Sequence, residues 1–255
     1  VVGWVIDEGF RTSLRYPTEI GVVETIAFLQ DVLPEPPARV LDVGCGRGDI
    51  TRALAGKGFA VLGIDSDREA AGAAAGEGLP VIEGDFLAFE GDAFDVVLFG
   101  RSLHHISPLA DALEHARRLV ADGGVVVAEE FSVESMDAHT ATWFYDLDSI
   151  LQTVGLLRPD SEARPSIHDR MERWRAEHDF DPPLNTGAQM TEELSRTFEV
   201  ERLDRVAYLY RDFCARLPSD QLGVRAGRRL MELEANGIGA KALAPVGLRV
   251  VARPR

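Results

Sequence analysis

Cysteine is scarce in this chain, and so is lysine. Cys45 and Cys214 are the two cysteines among 255 residues. Their spacing matches no metal-ligand pattern and suggests no disulfide framework, so no metal is expected and a reducing cytoplasm fits. Lys57 and Lys241 are the lysines; every other base is arginine. Together with the Ala and Gly richness, this reads as GC-rich coding rather than function. Bases are outnumbered, 27 against 42 acids, for a net charge of −15. Such a surface repels phosphate backbones, which disfavours nucleic acid as a bulk substrate but allows a local basic pocket. No run of about 18 apolar residues occurs, so no membrane span is expected. The opening stretch "VVGWVIDEGFR" lacks a cationic start and a long apolar core and does not read as a signal peptide. Nothing in the composition separates a monomer from a homodimer.

The 255 residues suffice for one sizeable α/β domain with a subdomain. Residues 1–37 read as an N-terminal arm. In it "EIGVVETIAFLQDVL" has helical apolar spacing and "PEPP", Pro34–Pro37, ends the helix. Strand and helix patterns then alternate. "ARVLDV", "FAVLGI", "LPVIEG", "FDVVLFG" and "GVVVAEEF" read as strands, with helices such as "DITRALAGKG" and "PLADALEHARRLV" between them. The strands are apolar throughout, as in a parallel sheet covered on both faces. This predicts a doubly wound α/β fold with its ligand at the carboxyl ends of the strands. Residues 38–131 form this core. Residues 132–188 hold two helical patterns and no strand, and read as an insertion capping the strand ends. The core resumes over 189–255, with a helix capped by Thr191, a strand "VERLDRVAYLY", a helix from Ser219 to Gly237, and a last strand "VGLRVVARP".

The chemistry centres on "RVLDVGCGRGDI", where a buried strand breaks into Gly44, Gly46 and Gly48. A dinucleotide fingerprint would need glycine at position 49, which is Asp49. An acid at that helix start also suits a pyrophosphate poorly. Asp42 precedes the loop. Asp65, ending the second strand, can take both hydroxyls of a ribose, in NAD or in an adenosyl cofactor. Asp85 and Phe86 follow the third strand, where an acid can accept from an adenine amino group and a ring can cover its face. Asp85 by itself reads equally well as a turn or cap. Cys45, between two glycines, reads as a small buried filler.

The stretches "VLDVGCGRGDI", "VLGIDSD", "EGDFLAFEGDAFDVVLFGRSLHHI" and "LVADGGVVVAEEF", in this order over residues 38–131, resemble class I S-adenosylmethionine (SAM)-dependent methyltransferases. The resemblance implies a seven-stranded Rossmann-like sheet whose last strand runs antiparallel, and SAM as cofactor with S-adenosylhomocysteine as product. It implies that Gly44 and Gly46, with Asp42 and Cys45 around them, face the methionine part. Asp65 would hold the ribose, Asp85 the adenine amine, and Phe86 and Ser66 would flank the ring. Gly100 and Arg101 would sit near the sulfonium, and Tyr16 in "RYPTE" at the carboxylate end.

Methyl transfer requires an aligned acceptor and, for a hydroxyl, a base. "FGRSLHHISP" offers His104 and His105 after the fourth strand; Glu129 and Glu130 end the fifth. The pair is similar to one in small-molecule methyltransferases of natural-product pathways, which implies His104 and Glu130 flanking the acceptor. Trp143, Phe144 and Tyr145 are consecutive on a predicted helix, so at most two can share a pocket face. Trp174 and His178, at i and i+4, are candidates for one pocket-facing stripe, with His168 about two turns before Trp174. Tyr208 and Tyr210 are expected on one side of a strand. The strand-end motif Asn-Pro-Pro-Tyr of many nucleic-acid N-methyltransferases is missing. The expected acceptor is therefore a small-molecule metabolite of natural-product type, taking the methyl group on oxygen, nitrogen or carbon, bound by His105, Trp143, Trp174, His178 and Tyr208. Competing expectations are an NAD-dependent dehydrogenase and a non-catalytic SAM-binding regulator.

Overall fold

The structure, a computed structural model, describes residues 14–158 and 167–255. The expectations for residues 1–13 of the arm and 159–166 of the insertion lie outside these. The described strands are β1 (Arg39–Val43), β2 (Ala60–Asp65), β3 (Val81–Glu83), β4 (Phe94–Gly100), β5 (Val120–Phe131), β6 (Phe198–Val206) and β7 (Gly247–Pro254). They form one seven-stranded sheet in the order β3-β2-β1-β4-β5-β7-β6. β1 runs parallel to β2 and β4, and β4 parallel to β5. β7 is antiparallel to both neighbours, as the resemblance implied. The order reverses between β1 and β4, which opens a crevice at their carboxyl ends, where open α/β sheets bind ligands.

The helices, in chain order, are α1 (Glu19–Val32), α2 (Asp49–Ala55), α3 (Arg68–Gly76), α4 (Leu109–Leu119), α5 (Ala138–Thr153), α6 (Arg170–Glu177), α7 (Gly187–Thr197), α8 (Tyr210–Arg216) and α9 (Gln221–Gly239). Alternate strand residues point to opposite faces, so an all-apolar strand needs cover on both. On one face Leu41, Val97, Phe99 and Val126 meet Leu113 and Ala116 of α4 and Leu194 of α7. On the other, Val40, Val96, Leu98 and Val127 meet Ile26 and Leu29 of α1 and Leu54 of α2. A third apolar cluster gathers Phe131, Phe144, Tyr145, Trp174 and Phe213 beyond the end of β5. No helix among the described residues is long and apolar enough to cross a membrane.

Several boundaries differ from the sequence expectation. β5 begins at Val120, not Gly124, because the ladder with β4 continues through a register shift. α7 is capped by Thr186, not Thr191. Thr186 and Gln189 form a reciprocal capping box, while Thr191 donates back to the Gly187 carbonyl at 2.7 Å. Asp220, not Ser219, caps α9, which continues past Gly237. α6 starts at Arg170 behind its cap Asp169, which leaves His168 exposed outside the helix. The predicted strand to Tyr210 ends at Val206. Buried Glu234 of α9 accepts the backbone N–H groups of Tyr208, Leu209 and Tyr210 at 2.7–2.9 Å. Three successive donors aimed at one carboxylate belong to a turn entering a helix, and α8 starts there.

Glu129 joins distant segments. Its carboxylate is 1% exposed and accepts from Thr25 of α1, Arg211 of α8 at 3.1 Å and Arg249 of β7 at 2.6 Å. Arg101 lies 3.7 Å away. Burial pushes the acid up; Arg211, Arg249, Thr25 and Arg101 outweigh that and hold it below its usual range. The native state thus binds this proton less readily than the unfolded chain, so Glu129 contributes full stability above the ordinary glutamate range. That contribution is lost as pH falls through the depressed native value. Glu129→Gln is expected to lower the unfolding free energy by about 3 kcal/mol at neutral pH. The difference between variant and wild type should shrink on acidification. Urea melts at a series of pH values measure both; a constant difference across the series would contradict the assignment.

Candidate active site

The loop after β1 is shaped by what packs over it. Gly44 has φ +67°, and a Cβ there would lie 2.3 Å from the Ser102 side chain. Only glycine suits that backbone and that contact. Ser102 in turn donates to the Val43 carbonyl at 2.5 Å, which ties the loop after β4 to the end of β1. Asp65 organises the loop from β2. Its two oxygens accept from the backbone N–H groups of Gly46 at 2.6 Å and Asp67 at 2.8 Å.

A cavity of about 570 Å³ opens at these strand ends. Gly44, Asp65, Ser66, Asp85, Phe86 and Arg101 of the expected cofactor residues line it. Asp85 also caps the following turn by accepting from Leu87 N–H at 2.9 Å, so it is a cap that also lines the cavity. A carboxylate oxygen carries two lone pairs, so Asp65 and Asp85 keep acceptor capacity toward the cavity. The Phe86 ring is buried edge-on against Phe99 and His115 and forms wall rather than a lid.

The remaining expected cofactor residues do not line this cavity. The Gly46 N–H is committed to Asp65. Cys45 turns its sulfur toward β2, where a Cβ on Gly63 would meet it at 2.7 Å. Burial, with Asp42 and Asp65 nearby, pushes the thiol up to about 12, so it stays protonated. Gly100 is small for a packing reason, since a Cβ would lie 2.9 Å from Ile50 of α2. Tyr16 is 49% exposed and borders a separate hollow with Arg47 and Arg52. Asp42 lies beneath the loop, 1% exposed, accepting from Thr51 at 2.7 Å. Its other oxygen is buried without a partner among the described residues. Burial, opposed by the Thr51 bond and Arg101, pushes Asp42 up to about 6. Arg101 has φ +66°, rare for a side-chain-bearing residue, and is held there by its N–H to the Glu129 carbonyl at 2.7 Å. Its Nη1 is buried without a hydrogen bond, with Glu129 at 3.7 Å as its nearest ion-pair partner.

Glu130 lies one residue past Glu129 and therefore faces the other side of β5. It is fully buried. One oxygen accepts from Ser102 and Leu103 N–H at 3.0 and 2.8 Å; the other lies 2.5 Å from His104 Nδ1. With the carboxylate accepting, Nδ1 is the donor, and in the neutral ring Nε2 keeps its lone pair. Glu130 does not itself line a cavity and is a positioning residue. His104 lines a second cavity of about 260 Å³, together with Phe131, Trp174, His178 and Tyr208. His105 borders both cavities. Trp143 does not line the second cavity; it packs on Phe213, while its neighbour Phe144 faces the space. Consecutive helical residues point about 100° apart, so only one could. Tyr208 reaches the cavity from the turn before α8, and Tyr210 is buried.

A family model described as a methyltransferase domain matches residues 21–181, more than half of the chain. The chain belongs to that family. A methyltransferase of uncharacterised function from Bacillus cereus is 31% identical over 139 residues, 49% of this chain and 65% of its own length. A ubiquinone biosynthesis O-methyltransferase from Caulobacter is 33% identical over 98 residues, 35% of this chain and 39% of its own. The alignments thus span less than two thirds of these curated relatives. Among solved structures, a SAM-dependent methyltransferase from Mesorhizobium loti shares the fold, with TM-score 0.55, 18% identity, and 89% and 96% of the two chains covered.

In this methyltransferase-family chain, Asn185 is a residue that motif reading missed. Its Nδ2 donates to the carbonyls of Leu103 at 3.0 Å and Ile106 at 2.7 Å, and its N–H donates to His104 at 2.8 Å. Asn185 and Glu130 therefore grip the His104 turn from opposite sides. A lone Asn in a Pro-rich stretch carries no signal of this; the contact spans about 80 residues of chain. Asn185→Ala should lower stability by about 1–3 kcal/mol and weaken S-adenosylhomocysteine binding, because the same turn walls the first cavity. Calorimetric titration with a parallel melt checks this, and unaltered binding would refute the second half.

Proposed function

We propose that this chain is a SAM-dependent O-methyltransferase acting on a small-molecule hydroxyl. The observation that carries the reading is the buried His104–Glu130 pair at 2.5 Å, next to His105, which lines both cavities. The first cavity suits SAM. Arg101 lines it and offers a charge for a carboxylate, and Asp42, buried beneath the loop, sets a negative charge below it that favours an ammonium, as in an amino-acid end. Asp65 and Asp85 offer acceptors for ribose hydroxyls and an adenine amine. Asp49 in the first turn of α2 opposes the pyrophosphate of NAD. When bound, SAM supplies an electrophilic methyl group on a sulfonium, and its transfer leaves S-adenosylhomocysteine.

The protein's part is alignment, exclusion of water and movement of one proton. His104 Nε2 takes the proton of the acceptor hydroxyl as its oxygen forms the bond to the methyl carbon. Glu130 keeps the ring in the tautomer that leaves Nε2 free and stabilises the imidazolium that results. The Caulobacter relative, by its name, methylates oxygen, which supports a hydroxyl acceptor.

In melts, SAM and S-adenosylhomocysteine should raise the transition temperature and NADH should not; a shift with NADH alone would refute the assignment. His104→Ala should lower turnover by roughly 100-fold or more at nearly unchanged S-adenosylhomocysteine affinity. Unchanged turnover would mean that the acceptor is already nucleophilic and the base reading fails. A regulator without activity would bind SAM yet release no S-adenosylhomocysteine with any acceptor of a broad panel.

Asp42 supplies a second check. With its carboxyl at about 6 in the free protein, an ammonium ligand must draw off its proton below that pH. Affinity for S-adenosylhomocysteine should therefore fall as pH drops below about 6 and level off above it. Asp42→Asn should remove that dependence. A titration equally pH-dependent in the variant would exclude Asp42 as the partner.

A further inference from the structure

We infer, building on the methyl-transfer reading, that the acceptor is a small neutral aromatic ring bearing the hydroxyl, a phenol, rather than a polyol or an ion. The second cavity is bounded by ring faces fixed on one another. Phe131 stacks on Tyr208 with centroids 5.1 Å apart and 21° between planes. It also meets His178 at 5.4 Å and Trp174 at 5.8 Å. Phe180 is 48% exposed and stands at the mouth, edge-on to His105 at 6.2 Å. Such faces accept another ring in offset or edge geometry.

The polar groups of the wall are already engaged. Trp174 Nε1 donates to the Val133 carbonyl at 3.1 Å, and His178 Nδ1 lies 2.8 Å from the Trp174 carbonyl. Glu177 accepts from the Tyr145 hydroxyl at 2.6 Å and Arg173 at 2.8 Å; Asp212 accepts from Arg216 at 2.6 Å. Beyond the lone pairs that these two carboxylates keep, a ligand finds His104 Nε2, the His105 ring and the Tyr208 hydroxyl, which has no hydrogen bond among the described residues. Burial pushes Tyr208 up to about 12, so it stays a donor. These groups serve one or two oxygens. A sugar would bury several more hydroxyls unpaired, which is costly.

Charge points the same way. Glu177 is paired with Arg173, Asp212 shares Arg216 with buried Asp148, and no guanidinium or ammonium group lines the cavity among the described residues. His105 is held below its usual value by burial and by His104, so it is neutral at physiological pH. An anion would find no guanidinium or ammonium counter-charge in this wall. The volume, about 260 Å³, suits one ring.

The test is calorimetric binding to the protein saturated with S-adenosylhomocysteine, with four probes of similar size: 4-methylphenol, benzoate, benzylamine and methyl glucoside. 4-Methylphenol should bind about tenfold or more tighter than the other three. Phe180→Ala should weaken it several-fold without changing S-adenosylhomocysteine affinity. Equal or tighter binding of any other probe overturns the inference, and so does failure of the phenol to bind. The two readings fail separately. A phenol that binds but yields no S-adenosylhomocysteine when SAM is supplied counts against methyl transfer to this ring class alone. Methylation of the glucoside would remove the phenol and leave methyl transfer standing.

Discussion

An ionised carboxylate taken out of water needs donors or counter-charges around it. This sheet buries two in succession at the end of β5. Because strand residues alternate faces, Glu129 and Glu130 recruit different partners. Glu129 gathers Thr25 of α1, Arg211 of α8 and Arg249 of β7, with Arg101 beside them. Glu130 gathers the Ser102 and Leu103 amides and the His104 ring. One strand end thereby fixes the floor of the first cavity and a wall of the second.

The consequence is that the two cavities are not independent. The short turn from Ser102 to Ile106 touches both. Ser102 packs on Gly44, His105 borders each space, and His104 points to the second. Glu130 holds this turn from the sheet and Asn185 holds it from the segment that carries Phe180 and Leu184. A shift of that segment would move the histidines and the cofactor wall together. Alignment of two reactants is the main demand of an in-line displacement, and a shared, doubly held turn meets it.

Much of the core was legible in the sequence because it rests on local rules. Apolar strands, glycine punctuation and acids at strand ends follow from backbone sterics and from a parallel sheet needing cover on both faces. The part beyond β5 was legible only as helices. Trp143 and Phe144 are indistinguishable in sequence and both pack on Phe213, yet only Phe144 of the two lines the cavity. The stretch from Val206 to Tyr210 carries β-forming residues, yet Glu234 turns it into a helix entrance from about 25 residues away. Thr186 and Gln189 were a readable capping box that the more conspicuous Thr191 obscured.

The sequence by itself determined the order of strands and helices, the loop that needs Gly44, and the chemistry available at the strand ends. These depend on neighbours within a few residues. The tertiary structure alone decided which carboxylates touch a cavity. Asp65 and Asp85 do, Asp42 lies beneath one, and Glu130 touches His104, which does. It also decided that Tyr16 and Trp143 stand elsewhere and that Asn185 binds the His104 turn. Burial and pairing across the sheet are sums over distant elements, and no window of sequence contains them.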